Sequence, residues 1–229
     1  MTADFPSINF VDLTEQTYRI LRERILKRQI HPGEKISVED IAQSLGVSRT
    51  PVVNALKILE SDALVEIIPR RGTFVTKITS RDIAEVFEIR LMIELYPADQ
   101  IFIQGKTQEL LAIIRATLSN MRGDISNESY INYEEYLASD RYIHTQLVQI
   151  VGNQRLSAIY SDLNIHMQVA RAHYLNTVES AQQAQIEHEA LESALKENDL
   201  AGFKQALSKH ITHVSERILA LLEEHGGAL

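Results

Sequence analysis

The chain has 229 residues, of which 45% are hydrophobic and 24% are charged, a globular composition that argues against a largely disordered protein. It contains no cysteine, which excludes a disulfide framework and a thiolate metal site. The formal net charge is -8, but residues 13–78 carry 11 Lys and Arg against 8 Asp and Glu, whereas residues 79–229 carry 12 against 21. A locally basic amino-terminal part remains compatible with phosphate binding, because screening limits charge effects to about 8–10 Å at physiological salt.

The first twelve residues mix polar and isolated apolar side chains without any period, which is typical of a tail or a short docking arm. They contain no basic segment followed by an apolar core, as a secretory signal would. No later stretch approaches the roughly 18 uninterrupted apolar residues of a membrane span. We therefore expect a cytoplasmic protein.

A helix is predicted from Leu13, because Tyr18, Leu21 and Ile25 recur at three- and four-residue intervals. We expect this helix to end at residues 31–33, His-Pro-Gly, since proline cannot continue the hydrogen-bond ladder.

Two further helices are predicted close together. Ser37 is a candidate N-cap, and Gly46 ends the short helix that follows it. Ser48 is the next candidate N-cap, and Pro51 falls in the first turn of the following helix, where its missing N–H is tolerated. Two helices joined by a tight glycine turn predict a helix-turn-helix, whose second helix enters the DNA major groove.

A β-hairpin is predicted directly after the helix-turn-helix. Residues 64–68 and 73–76 are short β-prone runs, and the sequence Pro69-Arg70-Arg71-Gly72 separates them. This arrangement indicates a wing with two arginines at its tip.

The remainder of the chain shows only helical patterns. From Ser80 we expect about six or seven helices, with breaks near residues 105–106, 123–124, 152–153, 175–176 and 198–199. The predicted fold is therefore mainly α, an amino-terminal winged helix-turn-helix followed by a carboxy-terminal all-helical bundle. We expect a tail at 1–12, a winged helix-turn-helix DNA-binding domain at 13–78 and a helical domain at 79–229.

Several motifs together resemble the GntR family of bacterial regulators. Residues 32–36 (PGEKI), 41–51 (IAQSLGVSRTP) and 70–75 (RRGTFV) are similar to its DNA-binding domain. Downstream, Phe87-Glu88-Ile89-Arg90, residues 140–144, Gly152-Asn153, Glu187-His188, Asp199 and His210 resemble the FCD effector domain of the FadR-type subgroup. These motifs extend over nearly the whole chain.

The recognition helix departs from the family pattern at one place. Members typically have Arg-Glu after Thr-Pro-Val, where this chain has Val53-Asn54. Asn54 is able to pair with adenine N6 and N7, whereas Val53 offers only a contact to a thymine methyl. We therefore expect an operator that differs from the usual one of the family, or a weaker affinity for DNA.

The predicted DNA contacts lie on the recognition helix and the wing. Arg49 suits bidentate recognition of guanine, and an arginine of the wing suits the minor groove. Ser48, Thr50 and Lys57 suit phosphates. The complete predicted set is Ser48, Arg49, Thr50, Asn54, Lys57, Arg70, Arg71 and Gly72.

A metal centre is predicted in the helical domain. Asp140 and His144 are four residues apart, which places both on one face of a helix. The pair alone is more typical of a surface hydrogen bond, but the FCD resemblance adds His188 and His210 and implies one shared metal site. Three imidazoles and a carboxylate suit Zn²⁺ or Ni²⁺.

The resemblance also implies an effector, a small organic acid bound beside the metal. Arg90 is a candidate to pair with its carboxylate, and a structural ion pair with a nearby glutamate is the alternative. His166 and His173 are seven residues apart and are left out of the site. His213, one helical turn after His210, is the residue most easily mistaken for a ligand.

The predicted function is ligand-responsive regulation of transcription, with repression as the expected outcome. One small DNA-binding module makes few contacts, so we expect a homodimer on paired half-sites of operator DNA. A metal-dependent hydrolase is one alternative, although no His-Glu-x-x-His motif is present. A DNA-binding dimer with a purely structural metal is the other.

Overall fold

The computed structural model describes residues 12–126, 129–130, 133–163 and 178–224. The chain divides into two compact units, Met1–Lys77 and Ile78–Leu229. The tail, the predicted helix break at residues 175–176, His166 and His173 lie outside the described residues, except for Asp12. None of the described helices is long and apolar enough to cross a membrane.

Three helices form the amino-terminal unit, namely α1 (Leu13–Leu26), α2 (Val38–Leu45) and α3 (Arg49–Ser61). The Asp12 carboxylate caps the first turn of α1, and the Ser37 hydroxyl accepts a hydrogen bond from the backbone N–H of Asp40 in α2. Gly46 ends α2 with a φ of 66°, a left-handed conformation that glycine adopts without a steric penalty. Helices α2 and α3 form the predicted helix-turn-helix.

Two local expectations for this unit differ from the structure. Helix α1 ends at Leu26, before Pro32, because the backbone turns at Lys27 and Arg28 takes a φ of 54°. Ser48 occupies the N-cap position of α3, but its side chain makes no capping hydrogen bond.

The wing is an antiparallel hairpin of β2 (Val65–Ile68) and β3 (Gly72–Val75), with Val65 opposite Val75. A third strand that the sequence did not predict, β1 (Lys35–Ile36), pairs with the other edge of β3 and gives the order β1-β3-β2. Two residues are too few to show an alternating pattern. The extra strand connects the wing to the segment between α1 and α2.

Packing between α3 and α1 forms the core of this unit. The α3 side chains that face α1 are fully buried, namely Val52, Ala55 and Leu59. On α1, Leu21 and Ile25 are no more than 2% exposed. Burying one such aliphatic side chain contributes about 1.5–3 kcal/mol. This packing leaves the opposite face of α3 exposed to solvent.

Helices dominate the carboxy-terminal unit. Those described are α4 (Ser80–Ile103), α5 (Thr107–Asp124), α6 (Tyr133–Gln149), α7 (residues 154–163), α8 (Val178–Lys196) and α9 (Leu200–Glu224). A short antiparallel pair, β4 (Ile125–Ser126) with β5 (Ser129–Tyr130), follows α5 and corrects the expectation that no strand occurs after Ser80. Helix α4 continues through Pro97, which is buried inside it.

The core of this unit combines an apolar cluster with buried polar groups. Helix α4 packs on α9 and α6, and α8 packs on α9 and α5. Phe87, Ile101, Leu118 and Phe203 belong to the apolar cluster. The polar and charged side chains inside this core are almost completely buried. Charged side chains are rarely buried to this degree unless they are paired with an opposite charge or bind a metal.

Candidate metal centre and DNA-binding surface

Four buried side chains from three helices converge inside the carboxy-terminal unit. Asp140 and His144 lie one turn apart on α6, His188 lies on α8 and His210 lies on α9. One ligand atom from each of the four lies within 4.8 Å of the other three. The structure therefore brings together the four residues that the sequence proposed as one group.

The distances within this group fit a single ion. His144 Nε2 lies 3.1 Å from His210 Nε2 and 3.3 Å from His188 Nε2, and His188 Nε2 lies 3.4 Å from Asp140 Oδ1. Neighbouring ligand atoms that are each about 2.1 Å from a shared ion lie about 3.0–3.4 Å apart. Three nitrogen donors and one oxygen donor also suit a borderline divalent cation.

The opposite nitrogen of two of these imidazoles is bound to a glutamate. His144 Nδ1 lies 2.7 Å from Glu94 Oε2, and His210 Nδ1 lies 2.8 Å from Glu187 Oε2. A carboxylate only accepts hydrogen bonds, so each Nδ1 is the protonated donor. If both rings are neutral, the two Nε2 atoms present lone pairs to each other at 3.1 Å, a repulsive arrangement that a metal ion or a shared proton between them relieves.

Glu94 is held from two further directions. Its Oε1 accepts a hydrogen bond of 2.6 Å from Arg90 Nε and one of 2.7 Å from the Tyr160 hydroxyl of α7. Burial alone would raise the pKa of Glu94, but Arg90 and His144 outweigh burial and hold this pKa well below its usual range. Burial lowers the pKa of His144 despite the opposing effect of Glu94, which favours a neutral imidazole.

Arg90 is fully buried and forms the ion pair with Glu94 that the sequence left open as an alternative. Its guanidinium also lies 5.7 Å from the centre of the Phe87 ring. Nη1 and Nη2 of Arg90 are buried without a hydrogen-bond partner in the described part of the chain. Tyr160 lies against this guanidinium, and the described residues supply Nη1 and Nη2 with no other acceptor.

Glu187 is the corresponding acceptor on the other side of the group. Besides His210, it accepts hydrogen bonds from His213 Nδ1 at 2.9 Å and from the Arg217 guanidinium at 3.3 and 3.4 Å. His213 is 34% exposed and contacts Glu187, so it lies beside the ligand group without belonging to it.

The sequence reasoning missed the roles of the two glutamates. Glu94 had one local signal, since it lies four residues after Arg90 on the same helical face. Glu187 directly precedes His188 on α8, yet it contacts His210 of another helix. Spacing within α8 does not reveal a contact made with α9.

The candidate DNA-binding residues lie on the exposed side of the amino-terminal unit. On α3 and at its N-cap, Ser48, Arg49, Thr50, Asn54 and Lys57 are all exposed. Arg70 and Arg71 are exposed at the turn between β2 and β3, and Gly72 begins β3 with a φ of 119°. Lys35 of β1 has its Cε close to Gly72, which adds a cation near the wing that the sequence did not indicate.

Arg49 makes one described ion pair, from Nη2 to Glu39 Oε1 of α2 at 3.3 Å. Both side chains are more than half exposed, so this pair contributes at most about 1 kcal/mol. The arginine is therefore accessible at the start of α3.

A winged helix-turn-helix unit followed by a helical unit with a buried histidine and carboxylate group defines a two-domain transcription regulator. Residues 13–75 match the model of bacterial regulatory proteins of the gntR family, and residues 85–213, more than half of the chain, match the FCD domain. The chain belongs to the GntR family and carries an FCD effector domain.

Known relatives agree with this assignment. The chain is 27% identical over 209 residues to YdhC, an uncharacterised HTH-type transcriptional regulator of Bacillus subtilis, covering 91% of this chain and 92% of that protein. It is 26% identical to the gluconate operon transcriptional repressor of the same organism, covering 86% and 82%. The fold matches Escherichia coli McbR/YncC with a TM-score of 0.63 at 20% identity, covering 93% and 99%. The matched families and relatives are transcription regulators, not enzymes.

Proposed function

We propose that this protein is a homodimeric, cytoplasmic repressor that binds operator DNA through residues 13–78 and senses a small organic acid through a divalent metal in residues 79–229. GntR regulators bind operator DNA, and FCD domains bind small-molecule effectors. Similarity to the gluconate operon repressor supports repression as the direction of control.

The observation that carries the proposal is the approach of His144 Nε2 to His210 Nε2 at 3.1 Å while both Nδ1 atoms face glutamates. Asp140 and His188 complete the ligand group, and Zn²⁺ or Ni²⁺ suits these donors. When bound, the ion would supply a positive centre for an effector carboxylate.

Arg90 is the second group that we assign to the effector. Its two buried terminal nitrogens would each donate a hydrogen bond to a carboxylate, because a guanidinium presents them in a fork that matches this anion. Its Nε remains bound to Glu94 in this arrangement.

A stripe of exposed apolar residues on α4 supports a homodimer. Ile89, Met92, Tyr96 and Ile103 recur at intervals of three, four and seven residues, so they share one face of the helix. Met92 and Ile103 are 66% and 74% exposed. Two copies of this face would bury each other's apolar surface across a two-fold axis.

The DNA contacts that we propose are Arg49 and Asn54 to bases, and Ser48, Thr50 and Lys57 to phosphates, with the wing residues Arg70, Arg71 and Gly72 at the minor groove. In a dimer, effector binding changes operator affinity only to the extent that the effector binds the two states of the protein differently. The proposed change is in the spacing of the two winged units.

The test compares metal-free protein, prepared with a chelator, with protein to which Zn²⁺ or Ni²⁺ has been restored. A panel of small carboxylates is added to each form, and thermal unfolding and operator binding are measured. A ligand at about 100 times its Kd stabilises the protein by roughly 2.7 kcal/mol. We expect one class of carboxylate to stabilise only the metal-loaded form and to change operator affinity. If metal stabilises the protein and no carboxylate alters operator binding, the metal is structural and the sensing role is wrong.

Arg90→Lys provides the matched test of the effector site. Lysine keeps the positive charge next to Glu94 but loses the fork, so metal affinity should remain while the carboxylate affinity falls about tenfold or more. An equal loss of metal affinity would contradict the assignment of Arg90 to the effector.

A further inference from the structure

Two of the four residues that we assign to the metal are each bound by a glutamate from a different helix. Glu94 of α4 contacts His144 of α6, and Glu187 of α8 contacts His210 of α9. Glu94 is completely buried and Glu187 is 6% exposed, so water does not compete strongly for either contact.

Each contact selects one form of the imidazole. A neutral imidazole carries its proton on Nδ1 or on Nε2, and a carboxylate accepts only from the protonated nitrogen. Glu94 and Glu187 therefore hold the proton on Nδ1 and leave Nε2 as the donor atom for a metal. Without the carboxylates, each ring would also populate the form with the proton on Nε2, which does not bind a metal through that atom.

The two carboxylates are themselves fixed in place. Arg90 and Tyr160 donate to Glu94, and His213 and Arg217 donate to Glu187. Neither glutamate is able to rotate away from its histidine without breaking two or more other hydrogen bonds. The orientation of each imidazole ring is therefore set by contacts outside the ligand group.

We propose that Glu94 and Glu187 are positioning residues of the metal centre, which fix the tautomer and ring orientation of His144 and His210 and thereby raise the affinity for a divalent cation. This inference rests on the proposed metal function. Outer carboxylates of this kind typically change metal affinity by about 10- to 100-fold when they are removed.

The primary variant is Glu187→Gln, because Arg217 and His213 are partly exposed and tolerate the loss of its charge. The matched control is Glu189→Gln on the same helix, whose described hydrogen bonds are to Arg122 and Gln185 and to no histidine. The 229-residue chain is stripped of metal with a chelator and then titrated with Zn²⁺ in the presence of a chromophoric competitor. We expect an affinity about 10- to 100-fold lower for Glu187→Gln and an unchanged affinity for the control.

Glu94→Gln leaves the buried Arg90 charge without its carboxylate and is at risk of not folding. The double variant Arg90→Met with Glu94→Gln removes both charges together. Its reference is the wild type, because Arg90→Met alone would leave the buried Glu94 carboxylate without its guanidinium. We expect the double variant to bind Zn²⁺ about 10- to 100-fold more weakly than this reference.

A second measurement separates positioning from a merely structural role. The ¹⁵N chemical shifts of the imidazoles in the metal-free protein report which nitrogen carries the proton. We expect protonated Nδ1 at His144 and His210 in the wild type, and a mixed population at His210 in Glu187→Gln. Lower thermal stability with unchanged tautomers and unchanged Zn²⁺ affinity would overturn the inference, whereas absence of Zn²⁺ and Ni²⁺ binding in the wild type would overturn the proposed function itself.

Discussion

His144 Nε2 lies 3.1 Å from His210 Nε2, with the two rings stacked at an interplanar angle of 13°, although 66 residues separate them in the chain. Helices α6 and α9 bring these atoms together, and a glutamate holds the far side of each ring. With both rings neutral, two nitrogen lone pairs at this distance repel each other, and a divalent cation or a shared proton between them relieves the repulsion. The pair is therefore the most direct structural indication of a metal centre in this protein.

Substitution should distinguish the ligand His210 from its neighbour His213. With Zn²⁺ at about 100 times its Kd, binding at the proposed site would stabilise the wild type by roughly 2.7 kcal/mol. We expect His210→Ala to lose most of this increment and His213→Ala to keep most of it, since the described hydrogen bond of His213 is to Glu187. Thermal unfolding with and without Zn²⁺ measures the increment for each variant. Equal losses in the two variants would contradict the ligand assignment.

Arg49→Ala should prevent operator binding without disturbing the fold. The side chain is 70% exposed and its described ion pair with Glu39 is weak, whereas a bidentate contact to guanine contributes about 1–3 kcal/mol in each half-site. Fluorescence anisotropy on duplexes selected by the wild type from a random pool measures the affinity. Arg19→Ala, at a similarly exposed position of α1, is the control and should bind normally. Wild-type affinity in Arg49→Ala would disprove the role assigned to this residue.

If the α4 stripe forms the proposed homodimer interface, Met92→Glu should give a monomer. It places a charge in the middle of the exposed apolar stripe of α4, where two copies would bury it together. Ile186→Glu, at a site on α8 that is 59% exposed and outside this stripe, is the matched control. Sedimentation equilibrium should show a monomer only for Met92→Glu. Dissociation by both variants, or by neither, would place the interface elsewhere.

Tyr18→Phe should change the stability of the amino-terminal unit in a pH-dependent manner. Burial and the hydrogen bond of 2.6 Å to Asp62 raise the pKa of Tyr18 from 10.0 to about 12. Because the folded state holds this proton more tightly, the stabilisation is complete below pH 10 and is lost as the pH rises through about 12. We expect the variant to be less stable than the wild type by about 1 kcal/mol at neutral pH. The difference should shrink towards pH 12.

Denaturant unfolding of the intact chain, followed by circular dichroism at several pH values, gives this difference. Tyr142→Phe alters a tyrosine that is 48% exposed and serves as the control. A constant difference between Tyr18→Phe and the wild type from pH 8 to pH 12 would show that the hydroxyl of Tyr18 does not carry the effect.

The sequence determined the local features of the amino-terminal unit. The first turn of α2 is capped by Ser37, and its end is fixed by Gly46, so both effects are local. The turn residues of the wing are equally local. Spacing along the chain therefore predicts the helix-turn-helix and the hairpin. The helical periods and the family motifs likewise predicted the bundle and the four candidate ligands. Prediction was weaker where a structure depends on contacts between residues distant in the sequence. Strand β1 is an example, because its two residues form a strand by pairing with β3.

Tertiary structure decided which polar groups surround the candidate ligands. Helix α4 continues through Pro97, and its packing on α6 places Glu94 next to His144, 50 residues later in the chain. Glu187 reaches His210 on α9 for the same reason. Sequence spacing reports contacts along one helix, whereas the tautomer of each imidazole depends on a partner from another helix. The sequence therefore predicted which residue types form the candidate metal site. The orientation of their side chains depends on the packing of the bundle.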